Sequence, residues 1–211
     1  SVQNSIVSHW MHELRAEDRQ TDRMRFRRNM ERIGEVAAYE ISKQLAYEEK
    51  IAQTSLGEAA SRILKDQPVL ATILRAGLPL HQGLLNYFDG AECAFIAAYR
   101  KHHRDGTFEI AQNYLTCPPL AAKVLILSDP MLATGASLSL ALRGLEEHGP
   151  AKKIFVVTVI ACNQGIENLL RKFPEISIFA GDIDDELTAK GYIVPGLGDA
   201  GDLAFGSKKQ Y

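Results

Sequence analysis

Uninterrupted runs of branched apolar residues alternate along the chain with stretches whose apolar positions recur every three or four residues. The runs occupy residues 68–74, 93–99, 123–128, 154–161 and 176–180. Runs of this length, without polar alternation, predict strands buried on both faces. Between them, Leu78, His81, Leu85 and Phe88 predict a helix ended by Asp89-Gly90. Leu138, Ala141, Leu142 and Leu145 predict a second, ended by Gly149-Pro150. Asn163 as cap, followed by Ile166, Leu169, Leu170 and Phe173, predicts a third, stopped by Pro174. Alternating strands and helices of about 11–15 residues predict an α/β fold, a doubly wound, mostly parallel sheet flanked by helices. An earlier helix, capped by Thr21, carries Phe26, Met30, Ile33, Ala37 and Ile41 at helical spacing. After Tyr99 the chain turns polar, and Asp105-Gly106 reads as a hairpin turn, which predicts a two-stranded flap outside the main sheet. His102 and His103 are adjacent, so on a strand they face opposite ways; a solvated loop is expected there. No repeat or linker interrupts the pattern. Residues 1–211 are expected to form one domain, with the N-terminal helix and a C-terminal hood as appendages.

Charge narrows the classes of function. A net charge of −2 argues against a general nucleic-acid or membrane surface. No apolar run approaches the ~20 residues that span a bilayer, and the first residues lack a basic start and apolar stretch, so a cytoplasmic location is expected. Cys93, Cys117 and Cys162 are odd in number and scattered, which fits reduced thiols and neither a disulfide framework nor a metal site. Arg23, Arg25, Arg27, Arg28 and Arg32 crowd ten residues of the first helix. They read either as a nucleic-acid face or as a solvated helix side paired with Asp22, Glu31 and Glu35, the latter being favoured. His81 sits among apolar neighbours and reads as a packing residue.

The stretch 123–137, KVLILSDPMLATGAS, is the most informative. A buried strand ends at Asp129-Pro130, because proline has no N–H for a ladder. Small residues Ala133, Thr134, Gly135, Ala136 and Ser137 then turn the chain into a helix. Such a turn is either an ordinary strand–helix connection or a phosphate cradle, in which its N–H groups and the helix N-terminus face an anion. Thr134 and Ser137 add hydroxyl donors, and Asp129 can bond a sugar hydroxyl or a metal-bound water. The DPMLATGAS run resembles the phosphoribosyl pyrophosphate loop of the uracil phosphoribosyltransferases, a branch of the type I phosphoribosyltransferases. Ser128-Asp129 fits the branch with one acid at this point. Ala136 stands where the family has a second glycine.

Two arginines extend the resemblance. Arg75, at the tip of the 68–74 run, stands where open α/β sheets bind ligands; it reads as a surface residue or a ligand contact. ILRAG resembles the family's pyrophosphate loop, which implies that Arg75 receives the leaving diphosphate. Gly77 is expected to allow close backbone approach. Tyr99-Arg100 resembles the family's Tyr-Arg, implying a second diphosphate contact at Arg100, although the following flap departs from the usual Pro-rich, Tyr-Tyr form.

The C-terminal stretch 191–202, GYIVPGLGDAGD, contains a literal GxGxxG at Gly196, Gly198 and Gly201. Pro195 precedes it where a dinucleotide fold needs a central strand, and ten residues follow Gly201, too few for a helix and a second strand. Clustered glycines instead expose backbone groups to a flat ligand. The run resembles the family's uracil site. The resemblance implies contacts from the backbone of Ile193, Gly198 and Ala200, packing by Tyr192, and a place for Asp199 beside the phosphoribosyl substrate. Leu203 replaces an arginine common among relatives.

The resemblance implies transfer of a phosphoribosyl group from phosphoribosyl pyrophosphate to uracil, giving UMP and diphosphate in pyrimidine salvage. Residues Asp129, Pro130, Met131, Leu132, Ala133, Thr134, Gly135, Ala136 and Ser137 would hold the phosphoribosyl substrate. Mg²⁺, carried mainly by the diphosphate, and Arg75 with Arg100 would bear the leaving charge. Asp199 would stabilise positive charge on the sugar or help uracil N1 lose its proton. The resemblance also implies a homodimer or homotetramer, and it offers the basic helix to subunit contacts or a GTP effector. The competing expectation is a regulator on the same fold that binds RNA to control pyrimidine genes; net charge and the single acid disfavour it. A purine salvage enzyme is a weaker third reading, because purines need a wider pocket.

Overall fold

The computed structural model describes residues 4–102 and 108–207, with the backbone alone between 98 and 113. The elements are, in order, α1 (Ile6–Arg15), α2 (Glu17–Gln20), α3 (Arg23–Ser42), β1 (Tyr47–Thr54), β2 (Gly57–Leu64), β3 (Val69–Leu74) and α4 (Leu78–Leu85). Then come β4 (Glu92–His102), β5 (Phe108–Thr116), β6 (Val124–Ser128), β7 (Met131–Leu132), α5 (Ala136–Glu146) and β8 (Lys153–Cys162). The chain closes with α6 (Asn163–Lys172), β9 (Ser177–Asp184), β10 (Glu186–Leu187), β11 (Ile193–Val194) and α7 (Ala200–Phe205).

The central sheet runs β5-β4-β3-β6-β8, with β7 and β9 also paired to β8. Its pairings are parallel except for β4 with β5. Residues alternate between the two faces, as the strand period of two requires. Leu70, Ile126, Phe155 and Val157 join one core with α3 and α4, while Val69, Ala71, Leu125, Leu127 and Val156 join a second with α5 and α6. The doubly wound prediction therefore holds. α3 and α4 cross at backbone contact: a Cβ on Gly83 would stand 1.9 Å from the Glu31 carbonyl oxygen.

Several expectations are corrected. The cap of α3 is Asp22, whose carboxylate accepts the Arg25 N–H at 3.0 Å, and not Thr21. Two helices, α1 and α2, precede it. The expected flap is the outer part of the β4–β5 hairpin: β4 pairs with β3 only as far as Leu74↔Ala97, beyond which Ala98↔Gln112 to His102↔Phe108 pair with each other alone, while Phe95↔Thr116 to Ala97↔Tyr114 also make β5 the sheet's antiparallel edge. His102 ends β4 instead of lying in a loop. His103, the Asp105-Gly106 turn and the side chains of Tyr99, Arg100 and His102 lie outside the described residues. Leu78 and Leu170 are exposed, and Leu80, Leu84 and Leu169 carry the burial in their helices. Asn163 opens α6 instead of capping it, and its amide donates to Asp185. A hairpin unforeseen by periodicity, β1 with β2, pairs Tyr47↔Leu64 through Thr54↔Gly57.

The arginines of α3 are largely engaged within the chain. Arg25 forms a two-point pair with Glu13, which also accepts from Asn29, and these bonds hold Glu13 down at about 2. Arg28 pairs with Glu31 and Glu35, Arg27 donates to the Ala204 carbonyl, and Arg32 donates to Asn29.

His81 is buried edge-to-face against Phe95, and neither ring nitrogen has a hydrogen-bond partner among the described residues. Burial pushes its pKa down from 6.5 to about 4. The unfolded chain thus takes up this proton below pH ~6.5 while the folded chain refuses it until about pH 4, so stability falls as pH drops through that window. His81→Leu, which keeps apolar volume, should leave stability nearly unchanged at pH 8 and raise it by about 1–3 kcal/mol at pH 5. Urea unfolding midpoints at the two pH values measure this.

Candidate active site

The candidate phosphate cradle begins where β3 and β6 are tied side to side. Ser128 Oγ donates to the Ala71 carbonyl at 3.1 Å, and Thr72 Oγ1 donates to the Ser128 carbonyl at 3.2 Å. The chain then leaves β6 but stays on β8: Asp129 N–H donates to Val157, and the Pro130 carbonyl accepts from Val159 and Ile160. Gly135, at φ +80°, makes the left-handed step that starts α5. Thr134 Oγ1 accepts the Ala136 N–H at 3.3 Å. Thr134 and Ala136 are exposed and Ser137 half-buried, whereas Pro130 and Leu132 are buried. Leu132 can therefore face a ligand only through its backbone, whereas Pro130, with no N–H and its carbonyl taken by β8, has no free polar group to offer. The first-turn N–H groups of α5 have no partner within the helix, which is the physical basis of an anion site.

Asp129 sits at the head of this turn. Burial pushes its carboxyl up from 3.8 to about 7, against the lowering effect of the Met131 N–H at 3.5 Å. A half-buried carboxylate so destabilised as an anion fits a partner that brings positive charge or hydroxyl donors.

Arg75 follows β3 directly, after a cis Leu74–Arg75 peptide. Its Nη2 donates to Asp202 Oδ1 at 2.9 Å and to the Gly206 carbonyl at 2.8 Å, so it ties the end of β3 to α7. Sequence reasoning missed Asp202 and Gly206 as its partners. The reason for Gly77 also changes: a Cβ there would stand 2.2 Å from Thr72 Oγ1, so the glycine serves packing on β3. Arg100 lies on β4, three residues beyond the Ala97 that pairs with Leu74, at the same carboxyl edge.

The C-terminal run forms β11, crosses a cis Val194–Pro195 bond and enters α7. Ile193 is buried, leaving its backbone for any ligand; Tyr192 is exposed. Gly198 and Asp199 are exposed between buried Gly196 and Leu197 on one side and buried Ala200 and Gly201 on the other. Asp199 Oδ1 accepts the Asp202 N–H at 3.0 Å as the cap of α7. Leu203 lies beneath the loop, its Cδ1 3.5 Å from where a Cβ on Gly198 would stand.

The three stretches meet at one edge of the sheet. A Cβ on Gly191 would stand 3.3 Å from Thr134 Cγ2, one on Gly201 3.7 Å from the Ala76 Cβ, and Arg75 bonds α7. The fold and this edge are those of a phosphoribosyltransferase. Within that class the chain belongs to the uracil phosphoribosyltransferase family, whose model matches residues 1–207. It is 47% identical over 208 residues to the uracil phosphoribosyltransferase of Porphyromonas gingivalis, covering 98% of this chain and 96% of the relative. It is 41% identical over 192 residues to that of Pyrococcus furiosus, covering 90% and 82%. The solved structure of the AQ2163 protein from Aquifex aeolicus superposes with a TM-score of 0.87 at 32% identity, covering 98% of this chain and 97% of the other.

Proposed function

We propose that the chain transfers the 5-phosphoribosyl group of phosphoribosyl pyrophosphate to uracil, releasing diphosphate and forming UMP in pyrimidine salvage. The observation that carries this is the meeting of a small-residue helix N-terminus with a glycine-rich backbone loop at one sheet edge. The helix N-terminus supplies donors for a phosphate, and the loop supplies donors and acceptors for a flat base. Residues 129–137 hold the 5′-phosphate and ribose, with Asp129 on the sugar hydroxyls. Arg75 and Arg100 meet the diphosphate, and Arg75 exchanges part of its bonding to Asp202 and Gly206 in doing so. Tyr192 and the backbone of Ile193, Gly198 and Ala200 hold uracil, with Asp199 between base and sugar.

As diphosphate leaves C1′, positive charge grows on the sugar and negative charge on the leaving oxygens, as in glycoside cleavage. No covalent nucleophile is needed. Carried by the diphosphate substrate, Mg²⁺ would help spread the leaving charge, and the Asp129 carboxylate would suit it chemically. The residues of the chain fix the phosphate, orient the ribose and set Asp199 near the developing cation. Uracil presents an acceptor–donor–acceptor edge, and the Gly198 carbonyl takes its N3–H. Cytosine lacks that hydrogen and leaves the carbonyl unpaired, a mismatch worth up to ~10⁴-fold.

The RNA-binding regulator is disfavoured by the internal pairing of the α3 arginines, which also leaves a GTP effector with few free cations on this helix. The enzyme is one domain and a homo-oligomer. Its β1–β2 hairpin is exposed along β1 and at its tip, with Ile51 54% and Leu56 97% accessible, and an isolated two-stranded hairpin is marginal in water without something to cover it. No helix among the described residues is long and apolar enough to cross a membrane, and the three cysteines are free, which suits a reducing cytoplasm. A labelled-base assay with phosphoribosyl pyrophosphate should give UMP from uracil, with kcat/KM for cytosine, hypoxanthine and guanine at least ~10³-fold lower. Comparable turnover of any of these bases would overturn the assignment.

A further inference from the structure

The loop that carries Gly198 and Ala200 is gripped from behind by the N-terminal segment, 181 residues away in sequence. Arg15, the last residue of α1, donates through Nη1 to Asp184 Oδ2 at 2.8 Å and to the Gly196 carbonyl at 3.0 Å. Its Nη2 donates to Asp184 Oδ1 and to Asp182 Oδ2, each at 2.8 Å. Asp184, 8% exposed at the end of β9, accepts the Gly196 N–H at 2.8 Å. One ion pair thus holds both polar atoms of the Gly196 residue. Gln20, at the end of α2, extends the grip, because its Nε2 donates to the Leu197 carbonyl at 2.8 Å and to the Leu14 carbonyl at 2.6 Å.

The grip is built for geometry more than for stability. A planar guanidinium fork meets a carboxylate in two parallel bonds and still reaches a carbonyl, an arrangement an ammonium cannot reproduce. Beyond the exposed Gly198 and Asp199, the chain is pinned again by Arg75 at Asp202 and Gly206 and by Arg27 at Ala204. The exposed backbone therefore spans two fixed ends. A displacement of about 1 Å at one end moves the groups proposed to read the base, and misplacement on that scale can cost ~10²-fold.

We propose that Arg15, Asp184 and Gln20 are positioning residues for the pyrimidine: they do not touch substrate, and they act through Gly196 and Leu197 on where the Gly198 carbonyl and Ala200 N–H stand. This rests on the reading that the 191–202 loop binds uracil. It assigns the N-terminal helices, apart from their packing, a part in base recognition.

The test uses full-length Arg15→Lys and Gln20→Met, each assayed for KM of both substrates, for kcat, and for uracil affinity by calorimetry. Arg15→Lys should raise the uracil KM at least tenfold and Gln20→Met three- to tenfold, with the phosphoribosyl pyrophosphate KM within twofold of the parent. A purely structural grip would lower the melting temperature and the active fraction while leaving both KM values unchanged, and that result overturns the proposal. If Arg15→Lys does not fold, Gln20→Met decides alone. Gly198→Val separates the two levels. Loss of uracil binding in Gly198→Val with none in Gln20→Met or Arg15→Lys refutes the positioning role alone. Retention in all three refutes the base-site reading and the positioning role with it.

Discussion

Gly198→Val should abolish measurable transfer to uracil while phosphoribosyl pyrophosphate still binds within about threefold of its parent affinity. The reason lies in backbone conformation. Gly198 has φ +92°, where a branched side chain is strained by about 1–2 kcal/mol, and the added Cβ would stand 3.5 Å from Leu203 Cδ1. That distance is ordinary contact, so the clash is mild and the strain is relieved by rotating the peptide. Rotation swings the carbonyl away from uracil N3–H and leaves a buried donor unpaired, costing a further 1–3 kcal/mol or so. Gly198 is exposed and its neighbours are pinned on both sides, so the fold should survive. Calorimetry with each substrate on the folded variant is the measurement. Undiminished uracil binding would mean that the glycine only turns the chain, and the base would have to be read elsewhere.

How much of this was legible in the sequence depended on how local each feature is. The buried strands announced themselves because a strand covered on both faces needs apolar residues at every position, as in 124–128 and 153–162. The turn into α5 was legible because one left-handed residue, Gly135, must sit between a strand end and a helix start. The β1–β2 hairpin was not, since a hairpin exposed on both faces carries no alternation to read. β5 reads as half of a flap because its residues are polar, and only its pairing with β4 at Phe95↔Thr116 to Ala97↔Tyr114 shows that its other end completes the sheet. Gly77 reads as room for a ligand's approach, whereas contact with Thr72 explains it, and sequence cannot say which atom fills the space a missing Cβ leaves. The grip on Gly196 was invisible for a stronger reason. Arg15 and Asp184 are 169 positions apart, and neither lies in a stretch whose spacing suggests chemistry. Charged partners that act on a backbone leave no motif.

Asp129→Asn should cut turnover at least ~10²-fold and at the same time make the free protein more stable at alkaline pH. The two effects share a cause. Burial raises the Asp129 pKa from 3.8 to about 7, so between those values the folded chain keeps a proton that the unfolded chain has lost. Stability therefore decreases as pH rises through this window and carries the full penalty above pH ~7. Asparagine keeps the shape without the charge and removes that penalty. The variant should match its parent near pH 4 and melt higher at pH 8, each kcal/mol being worth about 2–4 °C in a chain of this size. Catalysis runs the other way, because the ionised carboxylate is the form that accepts sugar hydroxyls and suits the cation carried by the diphosphate. In the parent, kcat/KM for phosphoribosyl pyrophosphate should fall as pH drops below about 7, and the variant should lack that limb. Removing a charge placed for the transition state typically costs 10²–10³ in rate, which sets the expected loss. A variant that melts higher at pH 8 yet turns over within threefold of the parent would place Asp129 in the architecture of the turn and out of the reaction. One that loses turnover without gaining stability would mean that the free carboxylate already has a partner.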